Sequence, residues 1–212
     1  MSDMPYTYIV DHIPTSTAKN RRPGISMTPE YVTIHSTANP SSTARQERAW
    51  LTNSNNIATA SFHVVVDEKE AVECIPLNEV AWHAGDGRGP GNTKSIGVEI
   101  CESGDREKTL QNVAELVAKL LHERKWGIDR VKQHYDWSGK NCPRILRDTG
   151  RWPEFLGMIE KELKEMSEHW AEKYYKFLTE EKGIVIREKR FDDTVTRGEL
   201  FALMARMMGY KE

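Results

Sequence analysis

Seven histidines and three cysteines are the side chains of this 212-residue chain best suited to hold a soft metal ion. His134 and Cys142 stand eight positions apart in a segment that also carries Gly139 and Pro143, a spacing that lets both side chains converge on one ion. His35 closes a run of β-branched residues, and a strand end is a position from which side chains point into a cleft. Two histidines and a cysteine leave one tetrahedral position open for water, as a catalytic zinc site requires. Imidazole together with thiolate favours zinc over magnesium or calcium. The alternative for each of the three is an ordinary buried or surface residue with common hydrogen bonds. His63, after Phe62, and His83, in a glycine-rich stretch, are the rival ligands. His12, His122 and His169 match no catalytic pattern and read as structural.

The elements that must position these residues alternate. Residues 31–34 form a short β-rich run ending at His35. Residues 42–51 read as a helix, with Thr43 and Gln46 at capping-box spacing and Trp50 and Leu51 on the apolar side. Residues 61–66 and 72–75 flank a polar turn as a hairpin-like pair of strands, and residues 82–94, rich in glycine and holding Pro90, read as a loop. The continuous apolar character of residues 95–101 predicts a central strand. Leu110, Val113, Ala114, Val117, Leu120 and Leu121 then recur at helical spacing, with Gly127 as the expected C-cap. Residues 131–134 predict a further strand and residues 135–140 a polar loop. Pro153 suits the first turn of a helix running towards Leu163. Strands interleaved with helices imply an α/β fold, a mixed central sheet flanked by helices. The charged run 160–168 sets the expected boundary, dividing the chain into domains 1–163 and 164–212.

Composition removes other classes. The formal charge of −2 leaves no broad basic face, so no nucleic acid is expected as a partner. No run approaches the roughly 18 apolar residues of a membrane span. The first ten residues carry Asp3 and prolines rather than a basic start followed by an apolar stretch, so no secretory signal is expected. Three cysteines make no full disulfide set, and synthesis in a reducing compartment is the plain expectation, a single Cys74–Cys101 bridge being the alternative.

Five local strings carry a resemblance: Val32-Thr-Ile-His-Ser-Thr37, Ser61-Phe-His-Val64, Ala81-Trp-His-Ala-Gly85, Ser95-Ile-Gly-Val-Glu-Ile-Cys101, and His134 through Lys140-Asn-Cys-Pro143. In order and approximate spacing they resemble the phage-type N-acetylmuramoyl-L-alanine amidases, which share a fold with the peptidoglycan recognition proteins. The resemblance implies that His35, His134 and Cys142 are zinc ligands. It also implies that Glu99 is a catalytic glutamate and Lys140 a donor beside the metal. In those roles Glu99 would move protons between water and the leaving amine, and Lys140 would face the oxyanion of the intermediate. His63, His83 and Trp82 fall along the substrate groove, with Trp82 and Trp137 as candidates to stack on sugar or peptide. The implied substrate is peptidoglycan, cut between the muramic-acid lactyl group and L-alanine. The implied setting is that of an endolysin or autolysin, made in the cytoplasm and acting on the cell wall after release. Two alternatives are a peptidoglycan-binding module without catalysis and a cytoplasmic amidase that recycles soluble muropeptides. The cysteine ligand and Glu99 favour the lytic enzyme.

From His169 the pattern changes. Trp170, Tyr174 and Leu178 share one helix face, with Gly183 at its expected end. Thr196 and Glu199 then have capping-box spacing before an apolar stripe of Leu200, Leu203, Met204 and Met207. With Phe191, Asp193 and Arg197, this small helical module resembles one surface-layer-homology repeat, which implies a secondary cell-wall polymer as a partner. Such repeats usually come in threes. The alternative is a helical tail for packing or self-association.

Overall fold

The strands of the computed structural model are Thr7–Val10 (β1), Tyr31–Ser36 (β2), Val64–Val66 (β3), Glu70–Glu73 (β4), Ser95–Ile100 (β5) and Val131–Gln133 (β6). They form one mixed sheet in the order β1-β4-β3-β5-β2-β6, with every neighbouring pair parallel except the β3–β4 hairpin. The structure describes residues 6–167, 171–183, 194 and 196–210, which fall in two compact units, Met1–Ser167 and Glu168–Glu212.

The sheet separates two layers by the period-2 alternation of its side chains. One face carries Val32, Ile34, Val64, Val66, Ile96, Val98 and Ile100, all fully buried. They pack under Arg106–Arg124 (α3) and Trp152–Ser167 (α6), which supply Leu110, Val113, Leu116, Val117, Leu121, Phe155 and Ile159. Burying each such side chain contributes about 1.5–3 kcal/mol. The other face is divided. Val65 and Val72 meet Ala44 and Leu51 of Ala44–Thr52 (α1) in a smaller cluster that also holds Cys74 and Cys101. The positions beside them on β2 and β5 are given to Thr33, His35 and Glu99. All three cysteines are free thiols.

Local chemistry sets the helix ends. The Thr43 side chain accepts from the Gln46 N–H while the Gln46 side chain accepts from the Thr43 N–H, the capping box expected for α1. Asp105 caps α3 in the same manner through the Lys108 N–H.

Several expectations need correction. The glycine-rich segment 82–94 is not loop throughout, because Pro90 opens the short helix Pro90–Thr93 (α2). The polar stretch after β6 begins as the helix His134–Ser138 (α4), followed by Arg144–Arg147 (α5). Gly127 does not cap α3. Lys125 does so at φ +55°, and Gly127 instead precedes the turn of 3-10 helix Ile128–Arg130. Trp50 is 47% exposed, so only Leu51 of that pair faces the core. Strand β1, which carries little pattern of its own, adds in parallel to β4. Helix α6 runs beyond residue 163 to Ser167.

In the second unit, Glu172–Lys176 (α7) continues into a π-helical turn, Phe177–Glu181, and Gly183 follows at φ +65°. Arg197–Met207 (α8) is opened by Thr196 and Glu199, each accepting from the other's N–H. His169, Trp170, residues 184–186, Phe191, Asp193 and the Met207 side chain lie outside the described residues. No described helix is long and apolar enough to cross a membrane.

Arg21 is fully buried and has no carboxylate partner among the described residues. It donates Nε to the Ala58 carbonyl (2.9 Å), Nη1 to the Leu51 carbonyl (3.0 Å) and Nη2 to the Asn56 carbonyl, pinning the chain that leaves α1. Arg21→Met keeps the bulk and strands three carbonyls. Denaturant unfolding of the full chain is expected to show a loss of about 2–4 kcal/mol, and a loss below about 0.5 kcal/mol would contradict this role.

Candidate metal centre

His35 and Glu99 are direct neighbours across the parallel β2–β5 pair, so both side chains leave the sheet at one level on the face away from α3. His134 opens α4 immediately after β6, the strand on the other side of β2. Cys142 is brought back beside it, where the Tyr135 N–H donates to the Cys142 carbonyl at 3.1 Å. His35, His134 and Cys142 are all buried, and one ligand atom from each lies within 4.8 Å of the others.

The hydrogen-bond network assigns the proton of His35. His83 Nε2 donates to the Ser95 carbonyl (3.1 Å), which makes His83 Nδ1 an acceptor for the Nε2–H of His35 (3.0 Å). The Ala84 backbone lies against His134 and opposes the effect of burial on its ring. The remaining nitrogens, His35 Nδ1 and His134 Nδ1, face each other at 3.0 Å, with Cys142 Sγ 3.8 Å from His35 Nδ1. The His35 Nδ1 lone pair is thus free to accept from His134 Nδ1 or to bind a cation. A cation there would be met by two imidazole nitrogens and a sulfur. These donors therefore fit zinc, with its preference for imidazole and thiolate.

The electrostatics agree. Burial, reinforced by His83 and His134, holds His35 well below the ordinary histidine range. Burial and the Lys140 charge lower His134 to about 4, so both rings are neutral, as ligands must be. Burial and the neighbouring Glu99 push the Cys142 thiol up to about 11, while the Ser36 N–H and hydroxyl pull the other way. A thiolate there at neutral pH needs a bound cation.

Glu99 keeps part of its surface open to a recess, but its Oε2 is buried and without a hydrogen-bond partner. Burial first, then the charge of Glu47, raises its carboxyl to about 8, with Lys140 acting against them. Lys140 is exposed and lines the same recess. That recess, of about 250 Å³, reaches His35, Glu99 and Cys142, with Trp50 and Glu47 among its other lining residues. It shares His83, His134 and Lys140 with an open groove of about 600 Å³ walled by Lys19, Asn20 and Trp82.

The other expected site residues divide. Trp82 lines the groove, fixed by Nε1 donating to the Asn20 carbonyl at 2.9 Å. His83 lines it too, but both its nitrogens are engaged, one of them with His35. His63 is not brought to the groove. It is fully buried, its Nδ1 accepting from the Gly97 N–H (2.8 Å) and its Nε2 donating to the Glu79 carbonyl (2.8 Å). Trp137 is a packing residue, bonded to Thr33 Oγ1 at 2.8 Å and edge-on to Tyr31. Glu47, Asn92 and Trp50 escaped the reading from residue types. A polar residue in a glycine-rich turn or an aromatic in a short helix has many commoner uses.

Residues 25–145 match the family model described as N-acetylmuramoyl-L-alanine amidase. The chain is 49% identical over 143 residues to the amidase XlyB of Bacillus subtilis, an alignment that covers 65% of this chain and 44% of XlyB. It is 50% identical over 145 residues to the amidase CwlA of the same organism, covering 66% of this chain and 52% of CwlA. The chain thus spans about half the length of these curated relatives. The solved catalytic domain of XlyA superposes with a TM-score of 0.67 at 43% identity, covering 72% of this chain and 99% of that domain.

The raised carboxyl of Glu99 has a sign that can be measured on metal-free protein. Its folded value, about 8, lies above the ordinary 4.5, so its protonation stabilises the fold fully below pH 4.5. That contribution is lost as pH rises through 8. The lowered histidines act oppositely, but only below their ordinary 6.5. Between pH 6.5 and 8 the Glu99 slope stands clear, at up to about 1.4 kcal/mol per pH unit. Chelator-treated protein is expected to lose stability across that window, and Glu99→Gln to flatten the loss. An equal slope in both proteins would place the titration elsewhere.

Proposed function

Since the chain belongs to the N-acetylmuramoyl-L-alanine amidase family, we propose that Met1–Ser167 is a zinc-dependent unit hydrolysing the amide between N-acetylmuramic acid and L-alanine in peptidoglycan. The observation that carries this reading is the convergence of His35 Nδ1, His134 Nδ1 and Cys142 Sγ in a recess that shares His83, His134 and Lys140 with an open groove of about 600 Å³. Zinc held by those three residues would polarise the amide carbonyl and lower the pKa of water beside it. Glu99 accepts a proton from the attacking water as the new C–O bond forms. It then returns a proton to the departing L-alanine nitrogen as the C–N bond breaks. A buried carboxyl with a raised pKa can carry the proton between the two steps. Lys140 stands at the mouth of the recess, where its ammonium offsets negative charge developing on the carbonyl oxygen. Trp82 offers the groove a flat apolar wall.

Wall digests by the full chain should show new amino groups on L-alanine and no new reducing sugar ends, with about one zinc per chain. Glu99→Ala should lower turnover by roughly 100-fold or more with zinc content unchanged, whereas Cys142→Ser should lose zinc and turnover together. Reducing ends at a comparable rate, or full turnover in either variant, would refute the assignment.

The second unit is read as an attachment module for a secondary cell-wall polymer, so that the enzyme works as an endolysin or autolysin on the wall. Support comes from the reciprocal Thr196–Glu199 cap ahead of α8 and from the exposed apolar residues Leu200, Phe201 and Leu203. Truncation after Ser167 should spare turnover on small soluble muropeptides and weaken attack on intact walls, since tethering raises the effective concentration of enzyme at its substrate. Equal sedimentation of both forms with purified walls would remove the attachment role.

A further inference from the structure

Both metal-facing histidines rest on adjacent residues of one segment. The outward nitrogen of His35 is held by the His83 side chain, and the backbone of the next residue, Ala84, lies against His134. That dipeptide is itself clamped. A single atom, Asn92 Oδ1, accepts from both the His83 N–H and the Ala84 N–H, each at 2.8 Å. Asn92 is 3% exposed, and its Nδ2 donates to the Gly87 carbonyl at 2.9 Å. Its own N–H and that of Gly91 donate to Asp86, at 3.2 and 2.7 Å. The His83 ring is also boxed from below, because a Cβ on Gly97 would lie 2.7 Å from it. The ring therefore has one seat.

We propose that His83 and Ala84, clamped by Asn92, form a shared outer support that sets the proton position of His35 and the ring orientation of both metal-binding histidines. His83 is thus a positioning residue more than a substrate contact. The chain of donors runs one way: the Ser95 carbonyl orders His83, His83 takes the Nε2–H of His35, and His35 Nδ1 is left free for the ion. Such outer hydrogen bonds hold ligand rings in place and commonly govern metal affinity by 10- to 100-fold. Joining both histidines to one turn has a further effect. A displacement of residues 83–84 moves the two donors together, so Asn92, which touches neither ligand, controls the bite of the site. The inference rests on the zinc reading above.

Zinc competition against a chromophoric chelator, run on the full chain, tests it. His83→Ala should raise the zinc dissociation constant by about 10- to 100-fold. His83→Gln, whose amide can both accept from His35 and donate to Ser95, should recover most of the loss. Asn92→Ala should weaken zinc in the same direction, and unfolding of the metal-free variants reports separately on the fold. Imidazole nitrogen NMR of the metal-free wild type reads the proton positions directly, with His35 and His83 both expected to be protonated on Nε2. Folded His83→Ala with wild-type zinc affinity, or a His35 proton on Nδ1, would overturn the proposal. A wild-type chain that holds no zinc would instead defeat the underlying metal reading, and the NMR result would still decide the donor chain.

Discussion

The parallel register of β2 against β5 is the constraint on which the site depends. Pairing His35 with Glu99 fixes both on one level, and the two-residue period of a strand fixes them on one face. A slip of one residue would turn a histidine and a carboxyl into the apolar layer under α3 and bring Ile34 or Val98 to the groove. The core thus enforces the site. Every valine and isoleucine seated against α3 and α6 resists a shift that would scatter the polar residues. Placing the site at the ends of parallel strands also lets β6 and α4 approach from the side and deliver His134.

Desolvation is the second organising effect. The same dry environment that keeps the histidines neutral raises Glu99 and disfavours a bare Cys142 thiolate. These shifts make poor sense as stabilising features, since each disfavours an ionised form or opposes another group. They make good sense around a dication, which favours neutral imidazole and thiolate together. Glu47 adds to the effect by raising Glu99 from the side of α1, so that helix shapes the electrostatics of the recess as well as its wall.

Much of this was legible from residue types, and the limits are physical. His35, His134 and Cys142 could be paired with a metal because few side chains bind zinc and two of them were close in sequence. The central place of β5 was legible from its unbroken apolar run. His63 and His83 could not be separated by type or by neighbours, since both follow a bulky aromatic. Only the hydrogen-bond partners distinguish a ring satisfied by two backbone groups from one that supports His35. The cap of α3 was misplaced for a similar reason. A glycine is the usual left-handed residue, but Lys125 takes that conformation here two positions earlier. Strand β1 carries almost no signal because half of its residues are exposed and its partner, not its pattern, makes it a strand.

Arg21 bears on where the first unit ends as a physical object. The recognisable family pattern begins at residue 25 and closes at residue 145. Yet the cation that holds the Leu51, Asn56 and Ala58 carbonyls sits before the first of these limits, and Phe155 and Ile159 seal the α3 layer beyond the second. A minimal fragment trimmed to the pattern would keep His35, His134 and Cys142 and lose the anchor of one recess wall and the lid of the core. For anyone joining this unit to another module, the seams belong outside Tyr6 and Met166, which both pack into the core.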